Sequence, residues 1–361
     1  MCTRKILLLL TGMIGLANTP HTTGMDNKRK QSRTQPFRPK PLTLPKRSIP
    51  VVEIGEYEEE RISSPLLAKH TFQFDANNTF PALQVTCCTL TNRGIRHILE
   101  KTPLEDRHAI QTAEHLPTHL FCGVFDGHNG YRAAEIAAKE IPQELTQQLA
   151  VDKLQTDTVE QALCDSFLKT EKKIAIDDGG TTATIAYLWP NTEKNNYVIS
   201  VANAGDSRTL ISNVDGTMLL ETHDHKATDP KEEQRVTDAG GVVLRNRLFG
   251  TLSVTRSIGD LAHKGGNCCS PTSLIALPET NTLAINNNCF IIQASDGLWD
   301  HESSDNATAL VANELARSTS SQAGLENAAQ LLYKRACNGN DAPLDDVTIV
   351  ISFIERTNTA L

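Results

Sequence analysis

Two apolar strands in this sequence end on an aspartate followed by a glycine. They are "HLFCGVF" at 119–125, closed by Asp126-Gly127, and "CFIIQAS" at 289–295, closed by Asp296-Gly297. A carboxylate at a strand end is fixed by rigid backbone while its solvent side stays open. The glycine permits a sharp turn and a close approach of backbone to a bound ion. One Asp-Gly is usually no more than a turn; two of them, each on a strongly apolar strand, form a pattern. Further acids stand at similar boundaries: Glu105 and Asp106 in "KTPLEDRH", Asp206 in "VANAGDSR", Asp300 in "SDGLWD", and Asp345 with Asp346 ahead of the last strand. Hard oxygen donors suit Mg²⁺ or Mn²⁺ rather than a metal that prefers thiolate or imidazole. Carboxylates gathered in one cleft repel each other unless cations neutralise them. Spacing alone does not gather them.

The elements that would do so can be read from periodicity. "YRAAEIAAKEI" opens a helix at 131, and "TVEQALCDSFLKTEKKIAI" from 158 carries apolar residues at helical spacing. "TTATIAYLW", "NYVISVAN" and "RTLIS" read as successive short strands with loop signals between them, and "VTIVISFI" at 347–354 as another. Two amphipathic helices, about 303–317 and 324–337, fill the space before that last strand. Strands in runs and helices in pairs, without strict alternation, predict an α+β fold. There is no repeat and no glycine-rich nucleotide loop.

The 361 residues suffice for a sizeable core, and the net charge of -8 argues against nucleic acid as a partner. Nine cysteines without a C-x-x-C spacing exclude a zinc ribbon, and Cys122 and Cys289 inside apolar runs read as buried free thiols. Arg4 and Lys5 precede the run "ILLLLTGMIGLA", which is too short for a membrane span but resembles a secretory signal over residues 1–17. Read so, it predicts an exported protein. Met25 opens a hydrophilic stretch, and a start there predicts a cytoplasmic one. Residues 18–67, basic and proline-rich and then acidic, read as a disordered linker ahead of a globular domain at 68–356.

In order, the chain shows "KTPLEDRH", "FDGHNG", "GGTTAT", "VANAGDSR", "DHKATDPKEEQRVTDAGG", "LFGTLSVTRSIGD", "ASDGLWD" and "DDVTIVI". Each motif is short, but the ordered set resembles the type 2C, or PPM, family of metal-dependent protein serine/threonine phosphatases over residues 85 to 354. The resemblance implies a sandwich of two antiparallel β-sheets flanked by pairs of α-helices, in α-β-β-α layers. It implies that Asp126 bridges two divalent cations, Mn²⁺ or Mg²⁺, and that the Gly127 carbonyl binds one of them. Asp296 and Asp345 complete the ligands, Glu105 and Asp106 act through water, and Asp206 with Asp300 match a third, weaker metal site. Thr182 falls near the cluster. Water activated between two cations would attack the phosphoester, and His128 would protonate the departing serine or threonine oxygen. The implied partners are phosphorylated proteins, and the expected state is a monomer with no stable membrane span.

Two positions depart from the family pattern. Lys101 stands where the family usually has an arginine that grips the substrate phosphate, and lysine offers a point charge in place of a planar fork. Lys101, or another cation such as Arg107, is expected to take that role. Asp346 stands where asparagine is common, either adding charge to the metal site or facing solvent. Residues 212–270 correspond to a variable flap. The competing readings are a pseudophosphatase acting as a metal-binding regulatory module, supported by Lys101 alone, and a hydrolase of small phosphate esters.

Overall fold

The computed structural model describes residues 65–74, 80–149, 154–174, 179–193, 195–264 and 272–357. The signal-like segment, nearly all of the expected linker and the "GGNCCSP" piece at 265–271 lie outside the described residues. One antiparallel sheet has the order β1 (Leu66–Phe74), β2 (Ala82–Asn92), β16 (Val347–Thr357), β15 (Cys289–Ala294), β9 (Arg208–Asn213), β10 (Met218–Glu221). The other has the order β14 (Glu279–Ile285), β8 (Asn196–Ala204), β7 (Ala183–Asn191), β4 (Leu116–Phe125), β3 (Arg107–Ala113). The first described strand begins at Leu66, two residues ahead of the boundary expected for the globular domain.

Strand alternation builds three apolar layers, because successive side chains point to opposite faces. On β4, Leu120, Cys122 and Val124 face the second sheet, where they meet Val85, Ile291 and Val350. Phe121 and Phe125 point the other way, into a core shared with Ala137, Ile141 and Leu163 of the helix pair α2 (Arg132–Gln148) and α3 (Thr156–Lys173). On β15, Phe290 and Ile292 pack on Val311, Leu325 and Leu332 of α7 (Ser304–Arg317) and α8 (Ser321–Ala336). The central strands are covered on both faces, which is why they read as nearly continuous apolar runs. The layers are α-β-β-α. Cys122 and Cys289 are buried free thiols in these cores, as their apolar settings led us to expect, and so are Cys87 and Cys88.

Five smaller elements decorate one end of the sandwich. The two-residue strands β5 (Gly127–His128), β6 (Gly180–Thr181) and β13 (Ile258–Gly259) pair as β13-β6-β5. The helix α1 (Ile95–Glu100) precedes β3, and α6 (Asp296–Trp299) follows β15. The flap comprises α4 (Pro230–Asp238), the hairpin of β11 (Val243–Leu244) and β12 (Arg247–Leu248), and α5 (Leu261–Lys264). It is shorter than the sequence suggested: residues up to 213 and 218–221 are strands of the six-stranded sheet. Asp229 caps α4, its Oδ1 accepting from the amides of Lys231 and Glu232 at 2.9 and 3.0 Å. The flap has its own small core of Ala227, Val236, Leu248, Leu252 and Leu274. Beneath it Glu232 accepts from Arg256 at 2.7 Å, Arg235 at 2.8 Å and Thr255 at 2.6 Å. Burial alone would raise the Glu232 carboxyl, but those donors hold it well below the usual range.

Candidate metal centre

Antiparallel pairing brings the chemistry-bearing residues to one edge of the sandwich. Arg107 pairs with Phe125, so Glu105 and Asp106 before β3 stand beside Asp126 after β4. Ala183 pairs with Ala204, which puts Thr182 beside the Gly205-Asp206 turn. Ala294 pairs with both Arg208 and Ile349, delivering Asp296 to the place where Asp206 and Asp345 lie. Residues from six strand ends thus line one cleft of about 860 Å³, among them Glu105, Asp126, Thr182, Asp206, Asp296 and Asp345, with Gly127 and His128.

The carboxylates are close enough to disturb one another. Burial first, and then the charges of Asp296, Asp106, Asp206 and Asp345, push the Asp126 carboxyl well above its ordinary value. Asp296 is raised in the same way by burial and by Asp206, Asp300 and Asp345, and it shares a hydrogen bond with Asp126. Two carboxylates in that relation hold a proton between them unless a cation replaces it. Burial raises Asp206 to about 6, against the opposing charge of Lys226. Asp106 is raised to about 8 by burial and then by Asp346. Its Oδ2 accepts from Ser295 Oγ at 2.8 Å, while its buried Oδ1 has no hydrogen-bond partner. An orphaned carboxylate oxygen and an oxygen-only donor set fit a hard divalent cation and its bound water.

The two glycines act through space rather than through backbone freedom. A Cβ on Gly127 would lie 2.6 Å from the Glu105 carbonyl oxygen. One on Gly297 would collide with the Asp346 carbonyl. Each lets a neighbouring backbone segment press against the strand end that carries the aspartate.

His128 lines the cleft, and its Nε2 lies 2.8 and 2.9 Å from the two oxygens of Asp260. Asp260 is fully buried in the left-handed region at φ 55°, its Oδ2 accepting from Ser257 Oγ at 2.5 Å. Burial alone would lower the histidine, but the Asp260 carboxylate reverses this and raises it above its ordinary value. Asp260 closes the motif "LFGTLSVTRSIGD", and nothing around it in the sequence marks a role. It reaches His128 only because β13 and β5 flank β6.

Four expectations change. Lys101 is exposed in the left-handed conformation that ends α1, at φ 58°, and is not among the residues lining the cleft. Arg107, the alternative, is buried and does not line the cleft: its Nη1 donates to the Leu104 and Asp106 carbonyls at 2.8 Å each, and its guanidinium lies 4.7 Å from the centre of the Tyr131 ring. The cleft cations are instead Arg96, Lys226 and Arg247. Asp346 neither faces solvent nor opens to the cleft. It is buried, accepts from the amides of Gly94 and Glu105 at 2.7 Å each, and lies 2.9 Å from His97 Nδ1. Finally, the Lys226 ammonium sits between Asp300, at 3.0 Å, and Asp206, at 3.8 Å. A third cation there would have to displace it.

The sequence profile described as Protein phosphatase 2C matches residues 92–341, well over half of the chain. The chain belongs to the protein phosphatase 2C family. Among its relatives are the mouse "Probable protein phosphatase 1N", 33% identical over 69% of this chain and 61% of the relative. The fission-yeast "Protein phosphatase 2C homolog 1" is 33% identical over 54% of each. The chain thus spans less than two thirds of either relative's length. A solved Toxoplasma gondii phosphatase superposes with a TM-score of 0.64 over 82% of this chain and 98% of that one, at 19% identity, which is a likeness of fold. No described helix is long and apolar enough to cross a membrane.

The raised carboxyls of this protein phosphatase 2C domain predict how its metal-free form responds to pH. Folded-state values lie above unfolded ones, so the stabilisation is full below the unfolded carboxylate range and is lost as pH rises through the folded values. With Asp206 at about 6 and Asp106 at about 8, the melting temperature in chelator should fall from about pH 4 to about pH 8. Saturating Mn²⁺ should abolish that fall. A metal-free melting temperature that climbs across this window would contradict the crowding.

Proposed function

We propose that this chain removes phosphate from phosphoserine and phosphothreonine in proteins, with two divalent cations, Mn²⁺ or Mg²⁺, as cofactors. The convergence of Asp126, Asp296, Asp345 and Asp206 on one cleft, with Asp106 buried close enough to raise Asp126, carries the reading. Asp126, the Gly127 carbonyl, Asp296 and Asp345 would hold the cations, with Glu105 and Asp106 orienting their water. Cations bound there supply an acidified water and neutralise charge on the phosphate.

The remaining groups position the substrate and move a proton. Asp260 fixes the His128 ring through Nε2, which leaves Nδ1 as the nitrogen that can hold a proton for the departing oxygen. The same aspartate favours the protonated ring, the form an acid needs. Arg96 assumes the phosphate-orienting role expected of Lys101. Its guanidinium is half-exposed at the cleft and lies 3.4 Å from Asp345 Oδ1, close to where a phosphate would meet the cations. Thr251 and Ser253 of the flap line the opposite wall, where the protein part of a substrate would lie.

A manganese-dependent assay on a phosphothreonine peptide, against a panel of small phosphate esters, tests the reading. Turnover of the peptide that chelator removes supports it; metal binding without turnover supports the regulatory module. Arg96→Ala should raise KM for the peptide roughly tenfold or more, the worth of a charge-assisted hydrogen bond. Lys101→Arg should leave KM unchanged. The reverse pattern would return the phosphate-gripping role to Lys101.

A further inference from the structure

The two most exposed large apolar side chains among the described residues stand together beside the cleft. Leu99 on α1 is 76% exposed and Leu344 is 56% exposed. With Ile95, Arg96, Glu100 and Asp345 they line a hollow of about 430 Å³. Arg96, Glu100 and Asp345 also line the metal cleft, so the two spaces adjoin. Exposed leucines scattered singly need no explanation, whereas paired ones at the mouth of a site mark a contact surface.

The hollow is built, not accidental. Its two walls are clamped by backbone: the Ile95 amide donates to the Pro343 carbonyl at 2.9 Å and the Arg96 amide to the Leu344 carbonyl at 3.4 Å. Asp346 fastens the base by accepting from the Gly94 amide at 2.7 Å. A side chain entering the hollow meets walls already ordered, so little entropy is lost on forming them. At about 430 Å³ the hollow is in the size range of a small-ligand pocket, ample for a large side chain and part of its neighbours. A stable dimer buries roughly 1,200–2,000 Å², and a second copy is a poor occupant for so small a feature.

We infer that this hollow is a substrate subsite that takes a large apolar side chain close in sequence to the phosphorylated residue. The inference rests on the phosphatase reading and names a substrate feature for it. Arg96, assigned to the phosphate, and Leu99 are three residues apart on α1, on one side of the helix and about 4.5 Å apart along its axis. An extended peptide advances about 3.3 Å per residue, so the apolar residue falls roughly one to three positions from the phosphorylated one. The Glu100 and Asp345 carboxylates on the rim repel an acidic residue at that position.

The test is a set of phosphothreonine peptides in an alanine-serine background, with one leucine moved through the three positions on either side. One position should raise kcat/KM roughly tenfold through KM, the worth of partly burying a leucine, and aspartate there should lower it below alanine. Leu99→Ser and Leu344→Ser should each erase the leucine gain while para-nitrophenyl phosphate turnover stays at the wild-type value. No preferred position, or a gain that survives both substitutions, overturns the subsite but leaves the phosphatase reading standing. So does a dimer that Leu99→Ser dissociates with the peptide ranking unchanged. Fluorescence anisotropy with the same peptides in Mn²⁺ reads the preference directly if the chain binds without turnover. A wild type that neither hydrolyses nor binds any of them overturns both.

Discussion

Asp296→Asn is expected to lower manganese-dependent turnover by at least ~10³-fold while raising the melting temperature of the metal-free protein. The substitution keeps the shape of the side chain and removes one charge. Asp296 and Asp126 share a hydrogen bond in the cleft, and both are pushed up by burial and by surrounding carboxylates. Removing the charge relieves that repulsion in the absence of metal, hence the gain in stability. With metal, the site loses a ligand on which both water activation and phosphate neutralisation depend, and each is worth orders of magnitude in rate. The opposite signs of the two effects are the diagnostic. A merely structural aspartate would lower stability and activity together.

His128→Ala should slow hydrolysis of phosphothreonine peptides by about 10²–10³-fold, the usual worth of a positioned acid. On para-nitrophenyl phosphate, whose leaving group departs without a proton, the loss should be far smaller. The imidazole is held through Nε2 by a buried aspartate and lines the cleft beside Asp126 and Gly127. Comparison of kcat on the two substrates checks the role, and equal losses would assign His128 to binding or folding.

Much of this arrangement was legible in the residues. β4 and β15 are covered on both faces, so their apolar runs stood out, and each ends at an aspartate that turned out to line the cleft. α2, α3, α7 and α8 announced themselves through helical spacing because each buries one stripe against a sheet. The edge strands β1 and β14 did not: the first is mostly exposed, the second mostly half-exposed, and their polarity suits an unpaired edge. α1 is only six residues long, too short for a periodic signal, and its place depends on Pro343 and Leu344 far along the chain. That is why Arg96 was overlooked and Lys101 favoured. The family resemblance singled out Lys101, but the left-handed turn that ends the helix sets it apart from the cleft. Asp260 and Asp346 were obscured for a related reason. Each works by accepting hydrogen bonds from partners remote in sequence, and no local pattern reveals such partners.

The central claim is that these strand-end carboxylates exist to hold cations. Anomalous diffraction from a crystal soaked in Mn²⁺ tests it most directly. The account predicts two manganese peaks in the cleft, touching Asp126, Asp296, Asp345 and the Gly127 carbonyl, and neither at full strength in Asp296→Asn. A cleft without anomalous density, with Asp126 and Asp296 still bonded to each other under saturating metal, would contradict it.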